Sequence, residues 1–307
     1  MSAGSSGVRN AADGIEGIEL CGMRLAHPII NASGTFDAIA ARRAFGDAVL
    51  ERFPFSAYVS KTITPVPRVG NPPPRLWEEP AAMVNSIGLP NKGLTGFLAD
   101  DLPELAELPV PLIVSVMATS VEQFGPLVSG VAGRAEVAAL ELNISCPNVH
   151  SGLIVGEQPG EAESLIEALR PLTAKPLIVK LTPNVAEPAA VAIAAEQGGA
   201  DAISLINTLK AAPLLADGTP WLGAGSGGLS GPAVRTVALK QVSDVVSAVE
   251  IPVVGMGGVE HGSHAASLLA AGAAAVAVGT ASFRDPLAAE RIRGELASLL
   301  RAGQGRA

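Results

Sequence analysis

Residues 141–152, ELNISCPNVHSG, set Cys146 between an apolar, strand-like run and a Pro-Asn turn, in a chain with only two cysteines. A thiol with an ordinary pKa of about 8.5 can act as a nucleophile or as a base that takes a proton from carbon. As a nucleophile it needs an activating partner, and His150 is near enough in sequence to be considered. As a base it needs only to face an acidic C–H. A buried, inert thiol is the third option.

Other residues with chemical potential occur at comparable places. Lys61 and Lys180 each close an apolar run, where an ammonium must reach outward or meet an anion or a polar cofactor. A Schiff-base lysine, as in barrel aldolases, is a rival use of either. Asn85 and Asn91 in NSIGLPNKG, Asn143 and Asn148 in NISCPN, and Asn207 in INT provide amides that suit a planar ligand with alternating C=O and N–H groups. Taken singly, each also suits a turn. GMGGVEHG and VGTASF place Gly257, Gly258, Gly279 and Thr280 where backbone N–H groups could cradle a phosphate. Residues 223–228, GAGSGG, match a dinucleotide-loop spacing by letter but follow no strand, so that reading fails on context. His261 and His264 in HGSH lack the acidic partners of a metal centre, and no metal site is expected.

These residues need a frame. Short apolar runs alternate with longer, Ala-rich amphipathic ones, the pattern of repeated βα units. Strands are predicted at residues 28–33, 57–62, 111–116, 138–143, 176–181, 201–207, 251–256 and 274–279. Eight such units make an α/β protein of the (β/α)8 TIM-barrel class, whose strand C-terminal ends build the site. Ser33, Lys61, Asn143, Lys180, Asn207, Gly257 with Gly258, and Gly279 with Thr280 all fall at those ends. Before the first strand, IELCGMRLAHP alternates around Gly22 and predicts an N-terminal hairpin closing the barrel floor, with Cys21 as packing. Long connections after strands 2 (residues 65–92), 4 and 6 (residues 209–230) predict functional lids. Residues 1–15 are expected as a flexible tail and residues 16–303 as a single barrel domain.

Composition narrows the class further. With 48% hydrophobic but 3% aromatic residues and 34 Gly, the core must be aliphatic and closely packed. A net charge of −8 and no basic stripe argue against a nucleic-acid surface. The absence of a signal-like or membrane-spanning apolar run, together with so few cysteines, fits the cytoplasm.

In chain order, GNPPPRLWE, NSIGLPNKG, ELNISCPNV, VKLTPN, LINT, GGLSGPA, GMGG and AVAVGTA together resemble the class 1 dihydroorotate dehydrogenases, from about residue 17 to about residue 300. The resemblance implies a barrel that holds FMN and oxidises (S)-dihydroorotate to orotate in de novo pyrimidine (UMP) biosynthesis. It assigns FMN contacts to Ser33, Lys61, Thr62, Asn143, Lys180, Ile206, Gly228, Gly257, Gly258, Gly279 and Thr280. It assigns the substrate to Lys61, Asn85, Ser86, Ile87, Gly88, Leu89, Asn143, Asn148, Asn207 and Thr208. Cys146 becomes the base that removes the C5 proton while C6 delivers hydride to flavin N5.

ELNISCPNV and LINTL are most similar to the NAD-linked class 1B catalytic subunit. That resemblance implies a homodimer that can extend to a heterotetramer with a subunit carrying FAD and a 2Fe-2S cluster. A fumarate-reducing homodimer and a flavin-dependent reductase similar to dihydropyrimidine dehydrogenase are the alternatives. Two departures bear on the electron acceptor: Ser115 stands where the NAD-linked subgroup usually has asparagine, and residues 207–225 diverge from the usual continuation.

Overall fold

The alternating residues of the N-terminal hairpin are the first strands of the computed structural model, which describes residues 15–144 and 155–304. Strands β1 (Ile18–Leu20) and β2 (Met23–Leu25) pair antiparallel. Their two-residue turn, Cys21-Gly22, has positive φ at both positions, 49° and 78°, the backbone that a tight hairpin twisted with its strands requires. Leu20, Met23 and Leu25 pack into the same apolar cluster as the barrel interior, so the hairpin closes the floor.

The remaining strands follow in chain order as β3 (Ile29–Asn31), β4 (Tyr58–Val59), β5 (Leu76–Glu79), β6 (Ala82–Asn85), β7 (Leu112–Val116), β8 (Val137–Asn143) and β9 (Leu177–Lys180). After these come β10 (Ala202–Leu205), β11 (Leu209–Ala211), β12 (Gly227–Ser230), β13 (Val253–Met256) and β14 (Ala275–Val278). Eight of them form one parallel sheet in the order β3-β14-β13-β10-β9-β8-β7-β4, the winding of a (β/α)8 barrel. Each of the eight falls on a predicted run. Helices such as Val121–Ala132, Pro159–Leu169, Pro188–Gln197 and Arg235–Val246 cover the outside. Among the described residues no helix is long and apolar enough to cross a membrane.

The two end strands, β3 and β4, are joined largely by a side chain. Asn31 Nδ2 donates to the Val59 carbonyl at 2.7 Å, and Val59 N–H donates to Asn31 Oδ1 at 2.8 Å. The carboxamide thus imitates a peptide group across the seam. It is fully buried, so losing it would leave two backbone groups without partners, at about 1–3 kcal/mol each.

Two features aim the barrel at a ligand. One is a gradient in the interior. Near the floor it is lined by small and apolar residues, including Ala57, Ala139, Ile178, Ala202 and Ala275, whereas Ser115, Glu141, Asn143, Lys180 and Ser204 are buried polar groups on strands of the same barrel. The other is a lid. The long connections after the second and sixth barrel strands are not irregular loops. They contribute β5–β6 and β11–β12, which assemble as a four-stranded antiparallel sheet in the order β11-β12-β6-β5. Their strands have three or four residues, too short for a periodic signal, and they pair across more than a hundred residues of sequence.

Candidate active site

Buried polar side chains persist only where they are hydrogen-bonded, so their partners show how the barrel mouth is built. Lys180 ends β9, is 5% exposed, and donates from Nζ to Ser33 Oγ at 2.9 Å. No carboxylate among the described residues forms an ion pair with it. Burying an ammonium costs several kcal/mol, which one neutral hydroxyl does not offset. An electron-rich ligand at the mouth would.

Beside it, four side chains form a buried chain. Asn143 Nδ2 lies 3.4 Å from Thr62 Oγ1, Thr62 Oγ1 lies 2.9 Å from Ser115 Oγ, and Ser115 Oγ donates to Glu141 Oε1 at 2.9 Å. Ser204 Oγ approaches the other oxygen, Glu141 Oε2, at 3.3 Å. Asn143 and Glu141 are two residues apart on β8 and so share its inner face.

Lys61 sits at the rim and is about half exposed, its Nζ 2.6 Å from Asp37 Oδ2. Burial tends to raise the Asp37 carboxyl, but the Lys61 ammonium and the Ala40 N–H outweigh it and hold the group below the usual carboxylate range. Asp37 also caps the helix Ala38–Phe45 through that N–H, at 3.0 Å. The pair therefore ties a helix start to the end of the second barrel strand.

Opposite, Gly257 and Gly258 follow β13 with φ of 129° and 67°. A side chain at Gly258 would also lie 2.8 Å from Arg235 Cβ and 2.9 Å from the Gly231 carbonyl, so only glycine fits on both counts. Ile206, 4% exposed, packs against Gly257, and its N–H donates to the Met256 carbonyl at 3.0 Å. Gly279 and Thr280 lead into the short helix Ala281–Arg284. Two residues on, Ser282 Oγ is buried with no hydrogen-bond partner among the described residues. Backbone turns and an unsatisfied hydroxyl at one end of the mouth make a polar cradle.

The lid residues divide into two kinds. Gly228 pairs with Asn85 across β12 and β6, and a Cβ there would overlap the Thr208 side chain, so glycine brings Asn85 and Thr208 together. Asn207 Oδ1 accepts the Thr208 N–H at 2.8 Å. Ile87, Gly88 and Leu89 continue from β6, with φ of 78° at Gly88 and 53° at Leu89. Ser86 is fully buried and accepts from Asn71 Nδ2 at 2.9 Å, so it pins the loop from inside. Asn91 likewise serves the loop: it accepts from the Gly93 and Thr64 N–H groups and donates to Thr64 Oγ1 and the Leu89 carbonyl. Its amide is spent on scaffold.

Cys146 and Asn148 lie outside the described residues. The residues that sequence reasoning missed are Asp37, Glu141 and Asn71. Glu141 had a signal: a carboxylate inside the apolar run AALELN, in phase with Asn143.

Comparison with known proteins decides the family. The model for the family described as dihydroorotate dehydrogenase matches residues 17–300. The chain belongs to the dihydroorotate dehydrogenase family. A Desulforudis audaxviator relative, 42% identical over 288 residues and aligned over 92% of both chains, is named dihydroorotate dehydrogenase B (NAD(+)), catalytic subunit. A Maridesulfovibrio salexigens protein of the same name is 43% identical, again over 92% of each chain. The fold is also similar to that of the dihydroorotate dehydrogenase of Eimeria tenella, solved with ferulenol, with a TM-score of 0.78 at 23% identity, covering 96% of this chain and 86% of that one.

Proposed function

We propose that the protein oxidises (S)-dihydroorotate to orotate with FMN, as the NAD-linked catalytic subunit of a dihydroorotate dehydrogenase. The observation that carries the reading is the convergence of Ser33, Thr62, Asn143 and the buried Lys180 at one barrel mouth, in a chain 42% identical to a named NAD-linked catalytic subunit. FMN fits the groups present: Gly257, Gly258, Gly279 and Thr280, with the unsatisfied Ser282 hydroxyl nearby, suit its phosphate, and Lys180 and Asn143 suit the polar edge of its ring. When bound, FMN supplies the hydride acceptor, N5, for the hydrogen leaving C6.

The chain's own residues do the rest. Asn85, Asn207, Thr208 and the 86–89 segment under the lid hold the planar substrate, with Asn143 and Asn148 pairing with its C=O and N–H groups. Lys61, at the rim, offers its ammonium to the substrate carboxylate. Cys146 takes the C5 proton, which the neighbouring carbonyl acidifies, so one hydride and one proton leave and the C5–C6 double bond forms. A partner subunit bearing FAD and a 2Fe-2S cluster would carry the electrons on to NAD.

The purified protein is expected to show a flavin spectrum that bleaches anaerobically on addition of dihydroorotate. A spectrum that stays oxidised after dihydroorotate, or faster bleaching by dihydrouracil, would overturn the substrate assignment. Cys146→Ala should keep the flavin and lose most turnover, and wild-type turnover should rise with pH as the thiol ionises. Co-purification with an iron-sulfur protein that enables NAD reduction separates the NAD-linked enzyme from a fumarate-reducing homodimer.

A further inference from the structure

The chain of hydroxyls between Asn143 and Glu141 has only one consistent set of hydrogen positions when Glu141 is a carboxylate. A carboxylate only accepts, so the Ser115 hydroxyl hydrogen must point to Glu141 Oε1, at 2.9 Å. Ser115 Oγ has no second hydrogen, so in its 2.9 Å contact with Thr62 the threonine is the donor. Thr62 Oγ1 in turn accepts from Asn143 Nδ2, at 3.4 Å. Every donor in the series runs inward, toward the middle of the barrel. All four side chains are at most 5% exposed, so solvent does not scramble that order.

We propose that Glu141 is a positioning residue that sets the donor–acceptor polarity of the barrel mouth. Through Ser115 it draws the Thr62 hydroxyl hydrogen inward, so that Thr62 offers a bound ring only a lone pair. The inference rests on the flavin reading above and deepens it by naming what tunes the flavin. Reduction would add electron density to a bound ring, so a buried negative charge and hydrogens drawn away from the mouth would oppose it. Ser115 is the hinge of the device: it is a short hydroxyl able to accept from one neighbour while donating to the next.

The test is the flavin midpoint potential and visible spectrum of the purified holoprotein. Glu141→Gln removes the charge and can donate to Ser115, which lets the chain reverse and the Thr62 hydrogen turn to the ring. The reduced form should be favoured at least about tenfold, an upward shift of about 30 mV for a two-electron couple, with displaced absorption bands. Ser115→Ala cuts the chain and should move the potential in the same direction. The double variant should add little to Glu141→Gln alone, which already removes both the charge and the hydrogen order. Ser204→Ala touches Glu141 but lies off the chain, and should shift the equilibrium less than about threefold.

Flavin-loaded Glu141→Gln and Ser115→Ala proteins with wild-type potentials would overturn the inference and leave the enzyme assignment standing. Loss of flavin from both variants would also overturn it, by making the network a support only. A wild-type protein that binds no flavin would overturn both readings.

Discussion

Lys180→Met removes a buried cation while keeping most of the side-chain volume, and its two effects should have opposite signs. In the protein without ligand, the ammonium is 5% exposed and has one described hydrogen bond, to a neutral hydroxyl. Its desolvation penalty is several kcal/mol, against about 1.5–3 kcal/mol from a charge-assisted bond. Replacing it should therefore stabilise the ligand-free protein by about 1–3 kcal/mol, raising the urea midpoint by roughly 0.5–1 M. On the proposed FMN reading, the same change removes a charged donor to the ring. Losing about 1.5–3 kcal/mol there weakens FMN binding roughly 10- to 150-fold. Urea unfolding of flavin-stripped protein, alongside FMN titration followed by fluorescence quenching, measures both effects. A variant less stable than wild type when stripped, with unchanged FMN affinity, would refute the reasoning, because it would make Lys180 a structural residue.

Asn31→Ala should destabilise the barrel by about 2–6 kcal/mol in urea unfolding, since it strands the Val59 N–H and C=O at the seam. A loss below about 1 kcal/mol would mean that the seam closes without the carboxamide. Burial, and secondarily the charge of Asp201, push the Cys21 thiol up to about 11. At pH 8 only roughly one such thiol in a thousand is ionised, against about one in four for a free cysteine. Folded Cys146→Ala protein should thus resist thiol reagents at pH 8 and react once unfolded in urea; rapid labelling of the folded variant would contradict the assignment of Cys21 to packing.

Most of the barrel was legible because its strands are local signals. Most are short aliphatic runs with Pro, Gly or Asp at one end or both, and the buried strands of a parallel barrel read as continuous apolar segments. The hairpin was legible too, through alternation around Cys21-Gly22. The long connections after the second and sixth barrel strands were legible as well, but their pairing into one sheet was not, because β5, β6, β11 and β12 depend on each other rather than on their own composition. The same distinction separates the site residues. Lys180 stood out as a charge ending an apolar run, whereas nothing in its neighbours in sequence reveals that Ser33, 147 residues away, is its partner.

The sequence by itself determined the fold class, the family and the residue types gathered at the strand ends, because βα periodicity and ordered motifs are properties of consecutive residues. Tertiary structure decided how those residues are used. It spent Asn91 on its own loop, tied Lys61 to Asp37, and closed the barrel with Asn31. It also placed Glu141 beneath Ser115 and Thr62. The physical reason is that a hydrogen bond's role depends on which groups burial leaves within about 3 Å, and burial is set by the packing of the whole chain.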